Sequence, residues 1–189
     1  MSLKKDSHLG NNSPNIRQLY DLAKERGIGL KTLMVLQEQE KAIKINPYNA
    51  NSFFVIATLW FDEHEYQKAK DNLSVALKLH PFHTSALRLK SCILSTCDDP
   101  AYRDGKEALW IAMHAMEIDR SVNKFDRCWL HRLYLRLQAA AYAEMSDFDS
   151  AVRYMGMVSR MAITKSSKTK AEKELLLYSN NQPCRHCLD

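Results

Sequence analysis

Ala42-Ile43-Lys44-Ile45-Asn46-Pro47-Tyr48 and Ala76-Leu77-Lys78-Leu79-His80-Pro81-Phe82 are two copies of one pattern, thirty-four residues apart. A fixed period in this range marks stacked helical hairpins, because one such unit cannot bury its apolar face alone and packs against a copy of itself. Pro47 and Pro81 punctuate the pattern. Each lacks an amide donor and clashes with the preceding turn, so it ends one unit and opens the next.

Between the prolines, Ala57 and Ala69 are small where two helices of a hairpin cross, and Phe53, Ile56, Trp60 and Leu73 are large enough to fill the space beside them. Asp62 to Glu65 reads as the turn between those helices. One period earlier, Leu19, Leu22 and Ala23 fall on a first helix and Val35, Ala42 and Pro47 on a second, with Gly27 and Gly29 at the turn. This unit is degenerate, with Arg26 and Gln39 where aromatics are usual, as suits a terminal repeat facing water.

One period later, Leu87, Ser91 and Leu94 are followed by Ala108, Ala112, Ala115 and Ile118, and the step lengthens by five residues. The added length lies in Thr96 to Gly105, where Asp98, Asp99, Pro100 and Gly105 spell a loop. A fourth unit has Leu135, Ala139 and Tyr142, a turn at Ser146-Asp147-Phe148, then Ala151, Met155 and Val158. The pattern predicts an all-α chain: a disordered tail over 1–14, a helical repeat domain over 15–164 with about four antiparallel hairpins, a capping helix over 165–179 and a flexible tail over 180–189.

Composition agrees with this class. The chain has 189 residues, 46% of them hydrophobic, with only five glycines and five prolines, enough apolar surface for a core and few breakers. No apolar run is long enough for a membrane span or a signal peptide. Five unevenly spaced cysteines do not fit a secreted disulfide framework, so the expected location is the cytoplasm, with reduced thiols. The net charge of +5, part of it in Lys165, Lys168, Lys170 and Lys173, is mild and does not point to nucleic acid as a partner.

These residues resemble those of tetratricopeptide-repeat proteins, over Ile16 to about Thr164. Phe53, Ile56, Ala57, Trp60, Ala69, Leu73, Ala76 and Pro81 take the family's marked places at its spacing. The stretched third unit with Pro100 to Gly105, the Ala-Ala-Ala-Tyr-Ala-Glu segment and the ending Glu174 to Tyr178 also resemble a bacterial subgroup common in planctomycete-like genomes, though Met145-Ser146 stands where that subgroup has Gly in the turn. The resemblance implies a right-handed superhelix whose first helices line a concave groove for a partner peptide. It implies no catalysis and no cofactor.

Mapped onto this chain, the groove positions are Arg17, Tyr20, Lys24, Asn51, Phe54, Thr58, Phe61, Ser85, Arg88, Cys92, Leu133 and Arg136. Guanidinium forks beside aromatic rings suit an acidic peptide with hydrophobic anchors. Asp21 and Val55 stand where the family's clamp for chaperone carboxyl termini needs asparagines, which argues against that ligand class. Two other readings remain at this level: a secretion-type chaperone, also built of three to four such repeats, and an RNA-binding helical repeat.

Other constellations are thin. Cys184-Arg185-His186-Cys187 supplies half a zinc site at most. Asp98, Asp99 and Asp104 lack the alternating ligands and closing Glu of a calcium loop and are better explained as caps. His80 and His83 flank the Pro81 turn without metalloenzyme spacing. Neither a phosphate loop nor a nucleophile elbow occurs, so the chain reads as a non-enzyme without a metal.

Overall fold

The structure is a computed structural model that describes residues 24–25, 27–122 and 128–185. Arg17, Tyr20, the tail over 1–14 and the last four residues lie outside the described residues. The described residues contain no strand. The helices are α1 (Leu30–Ile45), α2 (Ala50–Asp62), α3 (Tyr66–Leu79) and α4 (Thr84–Thr96), then α5 (Gly105–Val122), α6 (Cys128–Glu144), α7 (Phe148–Arg160) and α8 (Lys165–Ser179).

Helices adjacent in sequence pack on each other, most extensively α2 on α3, α4 on α5 and α6 on α7. This all-helical stacking is compatible with a helical solenoid. Ala57 and Ala69 are fully buried, with Leu73, Ala76 and Ala86 in the same cluster, and Phe53 and Trp60 pack against it half-buried. A second cluster joins α4, α5 and α6 through Leu87, Ile111, Tyr134 and Leu137. The third joins α6, α7 and α8. There Ala151, Met155 and Val158 form the single apolar stripe of α7, and Tyr178 is 1% exposed.

Packing is uneven along the stack. α5 and α6 are closely engaged and α4 also touches α6, whereas α3 meets α4 over a small area and α2 barely reaches it. The joint at Pro81 is therefore the thinnest between consecutive helices.

Several helices stop in the same way. At α2, the Glu65 amide donates to the Trp60 carbonyl at 2.9 Å and the His64 amide to Phe61 at 3.0 Å. At α6, Asp147 and Ser146 repeat the pair on Tyr142 and Ala143; at α8, Gln182 and Asn181 repeat it on Leu177 and Tyr178. This closure needs one left-handed residue per turn, and His64 (φ 59°), Ser146 (φ 62°) and Asn181 (φ 56°) take that conformation where Gly27 (φ 67°) does so without strain. Left-handed backbone costs an L residue about 1–2 kcal/mol, partly offset by the greater chain entropy glycine loses on folding. Ser146→Gly is therefore expected to raise stability by about 0.5–1 kcal/mol, read as a higher urea midpoint. A lowered midpoint would show that the serine side chain holds the turn.

α4 ends differently, and the lengthened loop is the reason. Cys97 is extended (φ −53°, ψ 141°), the chain makes a short 3-10 turn at Pro100–Tyr102, and the Asp104 amide returns to the Leu94 carbonyl at 2.8 Å. Asp99 and Asp104 act as caps, accepting from the Ala101 amide at 2.9 Å and the Glu107 amide at 3.0 Å. Arg103 then donates to the Cys97 and Asp98 carbonyls at 2.8 and 2.9 Å, so the loop is folded onto the helix end. Gly105 follows where a Cβ would lie 2.9 Å from the Ala141 carbonyl and 2.7 Å from Met145 Cγ, and only glycine lets α5 approach α6 so closely.

Candidate functional site

The Pro47 and Pro81 turns enclose an open cleft of ≈ 600 Å³. Its lining is two copies of one set: Asn46 and His80, Tyr48 and Phe82, Asn49 and His83, Ala50 and Thr84, Asn51 and Ser85, each pair thirty-four residues apart, with Leu79 added. None of these residues is Asp, Glu, Lys or Arg. Tyr48 is 80% and Phe82 62% exposed, far more than large aromatics usually show.

Local chemistry holds the walls. Asn49 caps α2 by accepting the Asn51 amide at 3.2 Å, and Asn46 accepts the Tyr48 amide at 3.1 Å. His83 caps α4: its Nδ1 accepts the Ala86 amide at 3.3 Å. The same imidazole lies 5.1 Å from the Phe54 ring and 5.8 Å from that of His80. Burial, then the neighbouring His80 and more weakly Arg88, hold the His83 pKa below its ordinary value.

The groove residues expected from the sequence do not all meet here. Asn51 and Ser85 line the cleft, and half-buried Phe54 backs it through His83. Thr58 is half-buried, and its hydroxyl donates to the Phe54 carbonyl at 3.0 Å. Phe61 packs into two core clusters, Lys24 is exposed, and Leu133 packs against the α4–α6 cluster. Cys92 is 5% exposed inside that cluster. It is also disulfide-bonded, so the expectation of a fully reduced chain does not hold for it.

Both groove arginines of α4 and α6 are engaged within the chain. Arg88 Nη1 lies 3.0 Å from Asp119 Oδ2, with side chains 20% and 13% exposed, and Arg88 also donates to the Ser85 hydroxyl at 2.8 Å. The Tyr134 hydroxyl donates to the same Asp119 oxygen at 2.5 Å; burial, then this bond, pushes its pKa well up. Arg136 is paired with Glu174 on α8, at 16% and 14% exposure, and lines a separate cavity of ≈ 240 Å³ with Arg132 and Lys170. These forks are occupied by the protein's own carboxylates.

Tyr48, His80, Phe82 and His83 were not among the groove positions. Their signal was present in the thirty-four-residue echo, which repeats the lining as well as the prolines. Among the described residues no three His, Cys, Asp or Glu side chains converge as a metal site, and no helix is long and apolar enough to cross a membrane. Comparison with protein-family models finds no match, and comparison with curated proteins finds none either.

Proposed function

We propose that this chain is a non-catalytic protein-binding scaffold, a tetratricopeptide-like superhelix that holds an extended partner peptide along its first helices, seated at the cleft between the Pro47 and Pro81 turns. The observation that carries the reading is the duplicated, uncharged and open lining of that cleft. Paired exposed aromatics offer an apolar anchor site, and the Asn, His and Ser side chains beside them offer donors and acceptors for a peptide backbone. With Arg88 and Arg136 committed to Asp119 and Glu174, the partner's anchor here is apolar and uncharged, and acidic residues in the partner would have to find other cations, such as exposed Lys24.

The test is a peptide array probed with the full chain, followed by titration of the best binder against Tyr48→Ala and Phe82→Ala. Both side chains are exposed, so helicity should be unchanged while affinity falls about tenfold or more, the effect of truncating an aromatic anchor. Undiminished affinity in both variants would remove the cleft from the binding surface.

A further inference from the structure

We infer that His83 is a pH-sensitive fastener of the joint between α3 and α4: neutral, it caps α4 and braces the cleft wall against Phe54; protonated, it releases both. The geometry requires the neutral form. Nδ1 accepts the Ala86 amide, so the ring proton sits on Nε2, and a proton added at Nδ1 would set two donors facing each other. The imidazolium would also stand at the N-terminus of α4, whose partial positive charge disfavours a cation.

The charged and titratable groups around the ring oppose protonation. His80, from the turn after α3, lies 5.8 Å away, and Arg88 sits further along α4; α2 contributes the uncharged Phe54 ring. Arg88 is itself paired with Asp119 on α5, which also accepts from the Tyr134 hydroxyl. Burial acts in the same direction.

The sign follows. A histidine whose folded pKa lies below its unfolded value adds stability that is fully present above the unfolded pKa, about 6.5, and is lost as pH falls through the folded pKa. The loss falls on the thinnest joint between consecutive helices, so mild acidity loosens the α3–α4 junction before the closely packed α4–α6 region. The consequence for a bound peptide, weaker seating at acid pH, rests on the reading of the cleft given above. The titration itself does not.

The test is an NMR titration of the histidine ring carbons in the full chain, with His80→Asn to separate the two signals, and urea unfolding at pH 7.5 and 5.0. The comparison variants are His83→Asn and His83→Ser, which keep a capping acceptor but do not titrate. His83 should titrate below about 6.5, and between the two pH values the wild-type unfolding constant should rise about fivefold more than that of either variant. Titration at or above the ordinary value, or an equal pH response in the variants, overturns the inference. None of these readouts needs a partner, so failure to capture a peptide bears on the cleft reading alone.

Discussion

Glu144→Ala is expected to lower stability by about 3 kcal/mol, among the largest losses anticipated from a single polar side chain in this protein. Glu144 closes α6 and is 16% exposed, and its two oxygens accept from Arg103 Nε at 3.0 Å and from Arg185. Arg103 also holds the carbonyls past the end of α4, and Arg185 reaches the Ser95 carbonyl at 3.4 Å. One carboxylate thus fastens the loop after α4 and the chain after α8 to the same helix end. Its removal leaves two guanidinium groups largely out of water without a counter-ion, a larger penalty than the pair itself is worth. Arg185 is 30% exposed, and Arg185→Ala should cost only about 1 kcal/mol. Urea unfolding of the two variants checks both values. Equal losses would mean that the tail contact, and not the loop after α4, carries the energy.

The all-helical stacking was legible where packing repeats along the chain. Alanines at helix crossings and large residues beside them recur at a step that is fixed across the Pro47 and Pro81 joints and lengthened after them, and a step of that kind is visible in one dimension. Ser146 shows the limit at a turn: a non-glycine residue holds the left-handed position because the hydrogen bonds of the helix end outweigh the local strain, and no propensity reports that balance. Cys92 shows the limit of register. Its place on α4 corresponds to a groove position, but α4 packs on both α5 and α6, and every residue from Ser91 to Cys97 is buried. Over that stretch α4 is surrounded on several sides and has no open face for its register to predict. Arg88 and Arg136 show the limit of charge. Their partners stand 31 and 38 residues away, a separation that only the three-dimensional stacking closes. The cleft lies between these extremes, since its lining repeats with the prolines but its openness comes from the spacing of the two turns.

Asp119→Ala is expected to lower stability by about 3 kcal/mol as well, and its consequences decide what Arg88 does. The carboxylate is 13% exposed and serves two donors, Arg88 Nη1 at 3.0 Å and the Tyr134 hydroxyl at 2.5 Å. The hydroxyl has the Ala115 carbonyl 3.1 Å away as an alternative acceptor, so most of the loss comes from the stranded guanidinium. Tyr134→Phe, which leaves the ion pair in place, should cost about 1 kcal/mol. Arg88→Ala strands the carboxylate instead and should cost about as much as Asp119→Ala, while the double variant should fall well short of their sum, with a coupling of about 1–3 kcal/mol. Strict additivity would show that the two charges do not depend on each other and would leave Arg88 available as a cation to the proposed partner. Strong coupling fixes it as part of the frame. In that case Asp119→Ala also disturbs the cleft at a distance, because Arg88 is bonded to Ser85 at 2.8 Å and Ser85 lines it. Peptide affinity should then fall together with stability in Asp119→Ala and stay coupled to it across this set, whereas Tyr48→Ala and Phe82→Ala lose affinity alone.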